Sequence, residues 1–124
     1  MEADPSFAPA HFALAYALST SPRPEGALLP FRRGLELDPT ATFARVGLVE
    51  TLLATGHLQE HADEVSRVLA MDPGNAAVNH MLCEQGLRRG ESAVAAEHCT
   101  RAFAGGAKLD ARAERLARAH GIVP

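Results

Sequence analysis

The sequence predicts an all-α fold: an α-solenoid of about three stacked helix pairs closed by a C-terminal capping helix. Three observations carry this. Asp4-Pro5, Asp38-Pro39 and Asp72-Pro73 recur 34 residues apart, twice over. Other columns keep the same step: Leu14, Leu48, Leu82 and Leu116; Arg33, Arg67 and Arg101; Leu35, Leu69 and Phe103. The apolar content is mostly Ala, Leu and Val, with few aromatics and no Trp. Ala has the highest helix propensity and lets helix backbones approach closely. A fixed period of this length marks stacked copies of one unit, each covering its neighbour's apolar face.

The elements follow in order. Residues 8–20 carry Phe12, Leu14, Ala15 and Leu18 at helical spacing. The run from Ser19 to Pro24 then breaks the helix, because Pro lacks a donor and restricts the residue before it. A second helix reaches about Leu37. Pro30 falls inside it, which predicts a kink or a late start. Thr42 is placed to cap a third helix running to about Ala54, closed by Gly56. Its partner spans about Leu58 to Ala70. Helices follow over about Ala76 to Arg88 and Ser92 to Ala104, with Gly90 at the turn. Gly105, Gly106 and Ala107 stand where a fourth Asp-Pro would fall. A polar last helix over about Asp110 to His120 suits the end of an array, with Asp110 at its start and Gly121 at its close. The expected divisions are a tail at 1–7, repeats at 8–41, 42–75 and 76–109, and a cap with its tail at 110–124. The tail Met1-Glu2-Ala3-Asp4-Pro5 reads like the end of a further repeat, as in Leu35-Glu36-Leu37-Asp38-Pro39, so the chain is expected to be a piece of a longer protein.

The period and its columns resemble the tetratricopeptide repeat family. The first copy supplies His11, Leu14, Ala15, Leu18, Ala27, Phe31 and Pro39 to that signature. The second supplies Arg45, Leu48, Val49, Leu52, His61, Val65 and Pro73, and the third Asn79, Leu82, Cys83, Gly86, Ala95 and Cys99. His61 in a small-residue column, Pro22 at the first turn and the missing third Pro depart from the pattern. The resemblance implies a non-enzymatic scaffold for protein–protein interaction. Its first helices would line a concave groove where a partner segment binds. The matching positions are Phe12, Tyr16, Phe43, Val46, Glu50, His80, Glu84 and Arg88. Family members that clamp a peptide's C-terminal carboxylate place Lys and Asn in these columns; this chain has neither there. The implied partner is instead an apolar segment carrying positive charge, with Glu50 as its anchor. An oligomerisation or regulatory role within a larger protein is the alternative, through an N-terminal edge at Leu14, Leu18 and Leu28.

Other chemistry finds less support in the residues. His57-Leu58-Gln59-Glu60-His61 spells the order of inverted zinc peptidases. His57 falls in a turn, however, and should not share a helical face with His61. No catalytic residue, metal or cofactor is expected. Cys83 and Cys99 read as reduced thiols packed as small apolar residues of a cytoplasmic chain. His98 adjoins Cys99 but points about 100° away on a helix. Arg33, Arg67 and Arg101, and Arg112, Arg115 and Arg118, read as solvated outer charge. Net charge is −3 with no basic run, so nucleic acid is not an expected partner. No stretch approaches the roughly 20 apolar residues of a membrane span, and no signal peptide is visible.

Overall fold

Seven α-helices succeed one another, with no strand, in a computed structural model that describes residues 7–106 and 108–122. They are α1 (Ala8–Ser19), α2 (Leu28–Leu37), α3 (Thr42–Ala54), α4 (Leu58–Met71), α5 (Ala76–Arg89), α6 (Ser92–Ala104) and α7 (Ala111–Ala119). The Asp4-Pro5 mark, most of the expected tail, Ala107 and the last two residues lie outside the described residues. The chain divides between Met71 and Asp72 into two compact units.

The helix boundaries have local causes. Pro30 occupies the third position of α2, because a 3₁₀ turn over Pro24–Ala27 delays the helix until Leu28. In the first turn a missing N–H forfeits no intrahelical bond. Of the two outcomes expected at Pro30, the late start occurs. Gly56 and Gly90 take φ of 79° and 70°, a left-handed conformation that costs glycine little. Each allows the next N–H to fold back on the helix: His57 N to Leu52 O and Glu91 N to Gly86 O, both at 2.9 Å. Thr42 is not the cap of α3. It is the first helical residue, and Ala41 holds the cap position without a side-chain bond. Asn75 caps α5 by accepting from Val78 N at 3.0 Å, and Asp110 caps α7 by accepting from Ala113 N at 2.8 Å.

The first unit packs α1–α4. Its core joins Phe12, Ala15, Ala27, Leu28, Phe31, Leu35, Leu48 and Leu52 with smaller Ala residues. Gly34 lets the Phe12 ring lie on the α2 backbone, since a Cβ there would stand 2.2 Å from Phe12 Cε1. A polar cross-tie joins α3 to α4. Glu64 is buried between Arg45, whose Nη1 donates to it at 2.9 Å, and Arg67 on its own helix. Arg45 Nη2 also donates to the carbonyl of Pro39 at 2.9 Å.

In the second unit α5 packs against α6 and α7 around Cys83, Leu87, Ala95, Cys99, Ala113, Ala117 and Ile122. Gly86 sets the α5–α6 approach: a Cβ there would meet the backbone of Ala95 at 3.0 Å. Cys83 and Cys99 are bonded, with sulfurs 1.99 Å apart and Cα atoms 4.6 Å apart. This overturns the reduced-thiol reading. The two columns face each other across the α5–α6 contact, and the same smallness that suits them to packing brings them within reach. The cytoplasmic placement loses the support it drew from reduced thiols, since disulfides persist in oxidising surroundings. Asn79 is fully buried, donates to the carbonyls of Pro73 and Asn75 at 2.9 Å, and accepts from His98 Nδ1 at 2.9 Å. Burial holds the His98 pKa below its ordinary value; Glu97 opposes this and Arg101 adds to it.

Burial is uniform along three of the 34-residue columns and uneven along others. Ala15, Val49 and Cys83 are buried, as are Ala27, His61 and Ala95, and Phe31, Val65 and Cys99. The leucine column is uneven: Leu48 is 3% exposed and Leu14 is 52% exposed. Leu48 has α1 and α2 beside it, whereas α1 has no earlier helix among the described residues. No helix among the described residues is long and apolar enough to cross a membrane.

Candidate functional site

The eight expected groove residues fall into two sets. Phe12, Tyr16, Phe43, Val46 and Glu50 lie in the first unit; His80, Glu84 and Arg88 lie in the second. Within the first set, exposure separates wall from surface. Phe12 and Val46 are only 3% and 9% exposed, so neither offers much surface to a partner. Phe12 sinks into the notch at Gly34 and supports Phe43 edge-on, ring centroids 5.4 Å apart. Phe43 itself is 60% exposed. Phe43 is thus an exposed ring held in place from beneath by another.

Tyr16 links this aromatic pair to Glu50. Its hydroxyl donates to Phe43 O at 2.8 Å, and its ring meets Phe31 edge-on at 5.1 Å. Gly47 makes room: a Cβ there would stand 2.7 Å from Phe31 Cζ and 3.0 Å from Tyr16 Cε1. Beside Tyr16 a cleft of about 380 Å³ opens between α1 and α3, with Glu50, Thr51 and Ala54 on one side and Ser19, Thr20 and Pro24 on the other. Partial burial raises the Glu50 carboxyl pKa above its ordinary value. Burial also raises the Tyr16 hydroxyl, and the negative charge of Glu50 adds to that. Among the described residues no cation pairs with Glu50; the position one turn on is Ala54.

Glu84 differs from Glu50 although both occupy one column. Arg88 Nη2 donates to Glu84 Oε2 at 3.2 Å, and His80 Nε2 lies 2.9 Å from Glu84 Oε1 without an in-line bond. Glu84 is thus spent on its own helix, and the second set offers no unpaired carboxylate.

The zinc-like run is dispersed. His57 Nδ1 meets Thr55 Oγ1 at 2.8 Å, Glu60 pairs with Arg32 at 2.5 Å, and His61 Nδ1 meets Val49 O at 3.0 Å. A carbonyl only accepts, so His61 carries its proton on Nδ1. Among the described residues no group of three His, Cys, Asp or Glu side chains could hold a metal. The outer arginines Arg33, Arg67, Arg101, Arg112, Arg115 and Arg118 are all exposed.

Sequence reasoning missed the disulfide, the Arg45–Glu64 tie and the Tyr16–Phe43 bond. The Arg45–Glu64 tie left one trace, since the column of Arg45 is polar in all three copies, as His11, Arg45 and Asn79. No protein-family model matches the chain, and no curated protein sequence matches it either.

Proposed function

We propose that the chain is a non-enzymatic scaffold, an α-solenoid of tetratricopeptide type that binds a partner segment along the first helices of its pairs. Support for a repeat comes from residues 34 apart doing the same work in the two units: the turns at Gly56 and Gly90, and the ties from Arg45 and Asn79 to a proline carbonyl. The observation that carries the function is the pairing of exposed Phe43 with unpaired Glu50 on one face of α3. They stand seven residues apart, about 10 Å along the axis, and Tyr16 lies between them. Such a face suits an apolar segment carrying positive charge.

Selection of random 12-residue peptides on the immobilised protein tests this, followed by anisotropy titration of the enriched peptide. Enrichment of apolar residues with Lys or Arg is the expected result. Enrichment of acidic peptides, or of none, contradicts it.

A second reading, self-association through α1, is favoured by Phe7 and Leu14. They are 54% and 52% exposed and lie seven residues apart, Phe7 at the cap position of α1 and Leu14 within it. Leu28, expected on that edge, is instead buried in the core. Sedimentation over a range of concentrations distinguishes the readings: a monomer throughout removes the second.

A further inference from the structure

The side chains around Glu50 share one chemical property. Tyr16 donates its hydroxyl proton to Phe43 O at 2.8 Å, Ser19 donates to Tyr16 O at 2.8 Å, Thr20 donates to Ala17 O at 3.2 Å, and Thr51 donates to Gly47 O at 2.8 Å. Each hydroxyl of the α1–α3 cleft has therefore committed its single proton to a backbone carbonyl. What remains for a ligand is oxygen lone pairs and the Glu50 carboxylate. The cleft lining holds no Lys, Arg, His, Asn or Gln, so it has no free side-chain donor. Pro24, Ala54 and the Tyr16 ring supply apolar wall beside these acceptors.

From this we infer that the cleft is a subsite for a primary ammonium on an aliphatic stem, the end of a lysine side chain. An ammonium has three donors and no acceptor, the complement of an acceptor-only lining. Its four-carbon stem lies along apolar surface while the charge meets the carboxylate. Carboxylate and phosphate ligands are excluded, having nothing here to accept from. One carboxylate is too few for a calcium ion, which takes six to eight oxygen ligands.

The inference deepens the groove reading and rests on it, so its test uses a probe too small to need the groove. n-Butylammonium and n-butanol are titrated into the ¹⁵N-labelled protein at pH 7, followed by amide shifts. Butylammonium should move the Gly47, Glu50 and Thr51 amides saturably, and n-butanol should not. Glu50→Gln should weaken the ammonium about ten-fold, the worth of a charge-assisted bond. Glu50→Asp, which keeps the charge at shorter reach, should retain part of the binding. In the parent, binding should weaken as pH falls into the range where Glu50 takes up a proton. If n-butanol moves the same amides as strongly, in parent and Glu50→Gln alike, the cleft is merely apolar. The ammonium assignment is then wrong while the peptide groove stands. If neither probe moves them, the subsite itself is overturned; enriched peptides that still bind would show that the groove survives without it.

Discussion

Arg45 and Asn79, 34 residues apart, make the same bond. Each reaches back six residues to a proline carbonyl, Pro39 or Pro73, at 2.9 Å. Each then meets the residue nineteen further on, Glu64 or His98, at 2.9 Å. The residue types have changed completely between the copies, from an ion pair to a neutral amide–imidazole pair. The spacing and the distances have not, although Arg45 donates to Glu64 whereas Asn79 accepts from His98. A recurrence of letters can arise by chance; here a contact between side chains recurs at the same 34-residue spacing as well.

Removing the buried amide should be costly. Asn79→Ala leaves the Pro73 carbonyl and His98 without their partner, a loss of about 1–3 kcal/mol. A double-mutant cycle of Asn79→Ala with His98→Ala in urea melts should give a coupling of about 0.5 kcal/mol or more. Additive effects would mean that the bond contributes nothing.

The leucine column provides a paired test of burial. Leu48→Ala should cost about 2–5 kcal/mol, because Leu48 lies in the core of the first unit. Leu14→Ala, at an exposed site, should stay within about 0.5 kcal/mol. Equal urea midpoints for the two variants would contradict the packing described.

Much of the fold is legible in the sequence, and the reason is physical. Helix ends depend on Gly, Pro and Asp-Pro, which act within a few residues, so the element bounds at Gly56, Gly90 and Asp110 can be read directly. Column burial is less legible, because it depends on neighbours: Leu14 and Leu48 are the same letter in the same slot, and among the described residues only Leu48 has helices before it. Phe12 misleads for a related reason. Its slot faces inward in the expected groove, but Gly34 opens a notch that swallows the ring. The disulfide is hidden altogether, since two cysteines sixteen residues apart read equally well as packing.

Reduction of the Cys83–Cys99 bond should destabilise the second unit. Closing a loop of sixteen residues contributes about 3 kcal/mol by restricting the unfolded chain. Thermal melts with and without a strong reductant should separate, and a melt indifferent to reductant would show that the bond adds no stability.

Two groups give opposite pH dependences. The folded pKa of His98 is lowered, so its contribution is present above the ordinary 6.5 and is lost as pH falls through the folded value. The folded pKa of Glu50 is raised from 4.5, so the folded state holds the proton more tightly. That favours folding at acid pH and fades as pH rises through the folded value. His98→Asn should therefore flatten the acid side of the stability profile, and Glu50→Gln should raise stability at pH 7. A loss of stability in Glu50→Gln at pH 7 would show that the carboxylate is not penalised by its cleft.

The most direct test of partner binding at the α3 face compares Phe43→Ala with Glu50→Gln on one enriched peptide, at two salt concentrations. Phe43→Ala should cost on the order of 2 kcal/mol, as a hot-spot aromatic does. Glu50→Gln should cost less and should reduce the dependence of binding on salt, because an exposed charge acts over a screened distance. If both variants bind like the parent, while substitutions on α2 or α4 abolish binding, the partner does not lie on this face.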